Sequence, residues 1–593
     1  KAMKALMEDC KSPVPWRARM QQRWWPCWKD VFLDLRALAV FRLALGAALV
    51  VEVTELISHR AAFLDPDGVC PVEHIASKAM FDLYLAATGS EGILLMLLVN
   101  LTSSLCFMLG FWTRTSAFLC WIFSLSQQHR LNNCVAYSGD ALRTCLLFWA
   151  QLQPLADVWS LDAANSLSKR VRRVEPELVQ DEAELRTPVS GLRERMKSTA
   201  CSNPGSARED VAVDENDDRK DARLNGGTAA PLCAFLLLMQ MASMYEYTAA
   251  TKVGSTWQQG SAVLQTLHLR QFAREPMAGF LAMFPQLCQL LTHSTWYVEK
   301  FAWMLAFLPY PSARMVAFCL FFGLHFGMNL ALRVGNFQLY AMSGWLVALP
   351  RPFLDRLEAL LLRLWPQVGR ALQRGPPSAK TRPQQWLFGI VQLLGFALML
   401  VTVAEGCRFR GDKCPMLGAA KLVPKADGWL AKLALNQRWN MFSPDAPFKS
   451  LRVELFGVLD APKCRGDLDS FWHHCPVVEL WSSKGYPSFS AQIPTQLPNW
   501  GNMSMPAPKT VDFATNRWRK LVEDVDHSMG LGGYSCLQWR AHHPRRKLLG
   551  VWLVRARSHM PQEQETLVGA FRHWCDADGK AVLKSLPRQP WAS

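Results

Sequence analysis

A multi-pass α-helical membrane domain of about nine helices, followed by a β-rich extramembrane domain, is the fold class this sequence predicts. Three features carry that expectation. Hydrophobic residues make up 50% of the 593 residues and fall in long blocks. Basic residues gather at the block ends. After residue 406 the blocks give way to short alternating runs.

A helix needs about 20 apolar residues to cross the hydrocarbon core. Blocks suited to this run over 35–57, 92–112, 115–127, 140–159, 230–250, 277–291, 296–310, 313–332, 337–350 and 386–404. Several are short, so some are expected to be re-entrant or interfacial, leaving about nine spans. The expected order is a cytoplasmic segment (1–30), a first helical set (31–160), a charged insertion (161–229), a second helical set (230–405) and the extramembrane domain (406–593). No cleavable signal peptide is expected before Asp34.

Charge sets the orientation. The formal net charge is +16, from 65 Lys+Arg against 49 Asp+Glu. No nucleic-acid module accompanies it, so no nucleic-acid partner is expected. The bilayer is the partner that basic block ends imply. Segments 1–30 and 351–382 are rich in Lys and Arg and read as cytoplasmic. The loop with Asp65, Asp67 and Glu73 leans acidic and reads as the opposite side. Nine spans from a cytoplasmic start would place the C-terminal part on the lumenal or extracellular side.

The insertion mixes both charges densely with Ser, Gly and Pro, which predicts a disordered or partly helical cytoplasmic segment. It is either regulatory or a tolerated loop. Farther on, SLRVELFGVL, PVVELWSS and KLLGVWLVRARS read as strands, and a helix is expected over 516–526. The sequon at Asn502 suits a lumenal loop.

The chain has 17 cysteines without a CxxC pair or a zinc-like Cys/His spacing, so no metal site is expected. Those in apolar blocks read as packing thiols. Cys70, Cys414, Cys464, Cys475, Cys536 and Cys575 lie in polar stretches and are disulfide candidates if those stretches face an oxidising compartment.

Ionisable groups inside apolar blocks are costly and mark sites of function unless they neutralise one another. Arg42, Glu52, Asp140, Arg143, Glu246, Glu299 and His325 are such groups. Mutual pairing, for instance of Arg42 with a carboxylate, is one reading. The most informative stretch is YEYTAATKVGSTWQQG (245–260), where Lys252 directly follows an apolar helix and Trp257 comes five residues later. Desolvation favours the neutral amine, which could then act as a general base. A snorkelling lysine beside an aromatic-belt tryptophan is the other reading.

Several segments together carry a resemblance. They are DLRALAVFRLALG (34–46), LDPDGVCP (64–71), GFWTRTSA (110–117), LNNCVAYSGDALRTCLLFWA (131–150), YTAATKVGSTWQQGSA (247–262), LTHSTWYVEK (291–300), LHFGMNLALRVGNF (324–337), QRWNMFSPDAP (437–447) and FATNRWRKL (513–521). In this order the set resembles the HTTM (horizontally transferred transmembrane) family, which includes the vitamin K-dependent gamma-glutamyl carboxylase. The resemblance covers about residues 31–525 apart from the insertion.

It implies an enzyme acting with a quinone-like lipid, with reduced vitamin K or another quinone as cofactor. Lys252 stands where the carboxylase has the base that deprotonates the reduced quinone. His325, followed by Gly335-x-Phe337, matches a family histidine. His325 and Glu299 would handle or orient protons, and Trp257 would form a wall. Asn132, Asn133, Cys134 and Asp140 fall in the matching substrate-binding segment, with Cys134 where the carboxylase has histidine. Cys70 matches a cysteine that joins the membrane and lumenal parts, which implies a disulfide to a cysteine of 407–475; Cys414, Cys464 and Cys475 are the candidates there. The endoplasmic reticulum membrane is the implied location, with plasma or another organelle membrane as alternatives. A transporter, a lipid-binding protein, a scaffold or a degenerate enzyme remain the other functional readings.

Overall fold

The structure is a computed structural model that describes residues 32–70, 81–87, 89–132, 134–165, 230–365, 382–411, 414, 417–462, 475–482, 484–490, 495–496, 513–523, 528–559, 565–575 and 581–583. The segment 1–30, nearly all of the insertion, Asn133, Cys464 and the sequon lie outside them.

The helical part begins with α1 (Leu35–Ser58), α2 (Gly89–Leu109), α3 (Thr113–Leu131) and α4 (Ser138–Ala150). It continues with α5 (Phe235–Thr251), the single turn α6 (Ser255–Gln258), α7 (Ala262–His268), α8 (Met277–Ala282) and α9 (Pro285–Phe301). It closes with α10 (Pro311–Ala331), α11 (Phe337–Trp345), α12 (Arg351–Leu364) and α13 (Arg382–Arg410). Asp34 caps α1 by accepting from the Arg36 N–H at 2.8 Å, satisfying an otherwise orphaned donor. Pro311 and Pro285 sit at the first positions of their helices, where a missing N–H costs nothing.

Among the described residues, four helices are long and apolar enough to cross a membrane: α1, α2, α10 and the Trp386–Arg410 part of α13. Leu95, Leu320, Leu393 and Leu400 on these helices face outward. The expected blocks 277–291 and 296–310 are divided differently, into α8, α9 and a 3-10 segment, Ala302–Phe307. Pro285 starts α9, and no i→i−4 hydrogen bond can be donated by a proline nitrogen.

The C-terminal part forms β1 (Lys449–Leu459), β2 (Pro476–Glu479), β3 (Thr495–Gln496), α14 (Asn516–Glu523), α15 (Ser528–His542), β4 (Leu548–His559), β5 (Glu565–Cys575) and β6 (Ala581–Leu583). The strands make one antiparallel sheet in the order β3-β2-β1-β4-β5-β6. Val453 and Leu455 of β1 point to one face, Phe456 and Val458 to the other, as the period of two requires. The first face shares a core with Val53 and Leu56 of α1 and with Trp518 of α14. The sheet therefore packs onto the end of a bundle helix through α14.

Three disulfides are described: Cys70–Cys134, Cys407–Cys414 and Cys536–Cys575. Cys70 is thus joined to Cys134 and not to a cysteine of 407–475. The physical reason is proximity: loops 64–70 and 132–136 meet at one end of the bundle, with the two Cα atoms 5.9 Å apart. Cys414 bonds its near neighbour Cys407, and Cys475 is also disulfide-bonded. Cys106, Cys120, Cys145, Cys233, Cys288 and Cys319 lie outside the disulfides, five of them at least partly buried.

Candidate functional site

Lys252 ends α5 and is 5% exposed. Its Nζ lies 2.5 and 2.7 Å from the two carboxylate oxygens of Glu299 on α9. The same nitrogen sits 4.4 Å above the Trp257 ring. The amine therefore has one anionic partner and one π-face, both good partners for a desolvated cation.

The turn after Lys252 is held by the 440–447 segment. Gly254 N–H donates to the Pro444 carbonyl at 2.9 Å, and Trp257 Nε1 donates to the Phe442 carbonyl at 2.8 Å. Thr256 N–H and Oγ1 both donate to Asp445 Oδ1, at 2.8 and 2.9 Å. A Cβ on Gly254 would lie 2.1 Å from the Asp445 carboxyl carbon, so only glycine allows this approach. The motif QRWNMFSPDAP is in this way the clamp for the lysine turn.

His325 of α10 is fully buried between two side chains. The Gln338 Oε1 can only accept, so His325 Nδ1 donates to it, and Nε2 accepts from the Tyr245 hydroxyl. Tyr245 packs 4.4 Å from the Phe321 ring, which stacks on Trp345 at 3.9 Å. Rings and amide together fix the imidazole in one tautomer and orientation.

Lys252, Glu299, Trp257 and His325 line one cavity of about 810 Å³. Its walls come mainly from apolar residues of α7–α10, and α10 presents Gly323 and Gly327 with open space beside them. Its other end is polar, formed by Asn440, Ser443 and Asp445 and by Asn516, Arg519 and Lys520 of α14. A cavity of this size and lining is suited to an amphipathic small molecule.

The expected substrate-binding segment is placed differently. Asn132 is exposed at the end of α3, Asn133 lies outside the described residues, and Cys134 is buried in its disulfide. Tyr137 and Ser138, three and four residues on, reach the cavity instead. Asp140 belongs to a separate buried cluster. Its carboxylate accepts from Arg517 at 2.7 and 3.1 Å and is 3.3 Å from Arg143. Glu52 completes it, 2.5 Å from Arg517 and 3.2 Å from Arg143, with Asn336 Nδ2 donating at 2.6 Å. Glu246 pairs with Arg410 at 2.6 Å. Arg42 departs from the expected carboxylate pairing: its guanidinium donates to the backbone carbonyls of Met108, Leu155 and Trp159, left over where neighbouring helices end.

Arg517, Asn516 and Arg519 were not singled out as site residues in the sequence. The signal was present, since NRWRK places three cations in a short helix outside the apolar blocks. Only the fold reveals that two of them, Arg517 and Arg519, turn inward. No protein-family description, curated protein or solved structure matches this chain.

Proposed function

We propose that the chain is a multi-pass membrane enzyme of the HTTM and vitamin K-dependent carboxylase-like type, acting on a quinone-like or other amphipathic hydroxyl compound through Lys252. The observation that carries this is the buried Lys252–Glu299 pair in the wall of a largely apolar cavity. A lysine closed off from water beside empty space is placed to handle a substrate proton.

The step uses the pair as a unit. Glu299 takes a proton from the Lys252 ammonium, across 2.5 Å. The neutral amine then takes the proton of the substrate hydroxyl. The products are a substrate oxyanion, an ammonium at Lys252 and a neutral Glu299 carboxyl. His325, whose two ring nitrogens are taken by Gln338 and Tyr245, offers the substrate a fixed ring face in the cavity wall, and Trp257 walls the amine off from the aqueous side.

The multi-pass arrangement rests on packing. α3, α5, α9 and α11 lie against the four apolar helices and α4 packs on α3, α5 and α11, which makes nine crossing helices in this reading. α4 and α11 are short, but they are buried among their neighbours and need not face lipid. The disulfides support an oxidising side for the loops and the sheet domain, with the endoplasmic reticulum lumen as the favoured compartment.

The test is oxygen uptake by purified protein supplied with a reduced quinone. Wild type should turn over, and Lys252→Met should be at least about 100-fold slower, the usual scale for a lost general base. The Lys252→Met/Glu299→Gln variant removes the pair without stranding a charge and should be equally inactive while fully folded. Equal turnover in this folded variant would remove Lys252 from the mechanism.

A further inference from the structure

α12 lies at the end of the bundle where α1 begins. Arg36, at the second position of α1, is fully buried and reaches out to α12 with two bonds, to Asp355 at 2.6 Å and Glu358 at 2.7 Å. Arg314, near the start of α10, donates to the Phe32 carbonyl at 3.1 Å at the same end. Two apolar spans thus begin at one level, and the charges there mark it as a hydrocarbon–water boundary. α12 is fixed at that level by its acidic residues.

The helix has three distinct long sides. Leu354, Leu357 and Leu361 pack on the bundle. Phe353, Leu360 and Leu364, spaced seven and four residues apart, share a second side and are 37%, 51% and 55% exposed. Arg356 and Arg363, seven residues apart, are exposed on the side next to it. They stand about 10 Å apart along the axis, from the rise of an α-helix. Asp355 and Glu358 turn toward Arg36, away from the side that carries Arg356 and Arg363, so that side is cationic.

We infer that α12 is an interfacial helix that binds anionic phospholipid headgroups of the bilayer in which the protein sits. The apolar side would rest in the acyl boundary, and Arg356 and Arg363 would meet phosphate or carboxylate groups of the adjacent headgroups. The occupant is the lipid surface because Arg36 holds the helix at the end of the bundle where two apolar spans, α1 and α10, begin. The inference rests on the membrane-spanning part of the proposed function and is independent of the chemistry at Lys252.

The experiment uses the full chain in liposomes of phosphatidylcholine alone or with phosphatidylserine, each doped with a photoactivatable lipid of the same headgroup. Labelled peptides are then mapped. The phosphatidylserine probe should label α12 roughly tenfold more than the phosphatidylcholine probe, given the attraction of two arginines for an anionic surface. Arg356→Gln/Arg363→Gln should bring the two probes to equality while labelling of α13 is unchanged. Equal labelling of α12 in wild type would overturn the headgroup site, as would labelling of α13 without α12. Labelling of neither helix would overturn the membrane reading itself.

Discussion

Two of the buried sets of charges among the described residues are built differently. Around Arg517, two guanidiniums and two carboxylates neutralise one another, with Asn336 donating to Glu52 and the Tyr137 ring beneath the Arg517 guanidinium at 5.3 Å. At Lys252 a single amine meets a single carboxylate, and open space begins beside them. A network in which every charge has two opposite partners is suited to holding elements together. An isolated pair facing a cavity leaves a direction for a third molecule to approach. The difference separates buried charge that fixes structure from buried charge available for chemistry.

The strongest way to break this comparison is Arg517→Ala. It leaves Glu52 and Asp140 sharing one guanidinium, and losing one partner of a buried ion pair costs about 3–5 kcal/mol. The unfolding midpoint in detergent or nanodiscs should fall steeply, and a variant as stable as wild type would deny the network its structural role. Lys252→Met should destabilise by about 3 kcal/mol because Glu299 is left alone, with most of that recovered in Lys252→Met/Glu299→Gln. Recovery in stability without recovery of turnover would sharpen the contrast; loss of both would weaken it.

His573 of β5 extends the comparison to a group buried without charge. It is 1% exposed, and neither ring nitrogen has a hydrogen-bond partner among the described residues. Burial pushes its pKa down to about 4 from the usual 6.5. The unfolded chain gains its proton first as pH falls, so the stability is whole above about pH 6.5 and drains away toward pH 4. The loss is at most about 3 kcal/mol. A denaturation series across this range should show the slope, and His573→Phe should flatten it. The smallest effect is expected for Gly254→Ala. Pushing a methyl against the Asp445 carboxyl should cost about 1–3 kcal/mol and move the lysine turn. Unchanged turnover in this variant would show that the pair tolerates a displaced clamp.

Much of the scaffold was legible in the sequence because burial in lipid writes itself as length. The starts of α1, α2, α10 and α13 fall within a few residues of the expected block edges. Period-two alternation located β1, β2 and β4. What periodicity does not carry is pairing across hundreds of residues. Nothing local in LNNCVAYSGD indicates that Cys134 would meet Cys70, or that Asp140 would face Arg517 across a separation of 377 residues. For the site, Lys252, Glu299, Trp257 and His325 do meet in one cavity, whereas Asn132 and Cys134 do not line it. The polar end of that cavity was missed because α14 reads as an ordinary surface helix until its neighbours are known.

Arg517 also sets an order of events during synthesis. Glu52 is made 465 residues before the guanidinium that meets it. Among the described residues, its other cationic partner, Arg143, is made far earlier and precedes Arg517 at the site. The cavity likewise lacks part of its lining until Asn516, Arg519 and Lys520 leave the ribosome and seat against the finished helices. A product stopped short of residue 513 would therefore carry the four apolar helices and yet lack the polar end of that cavity.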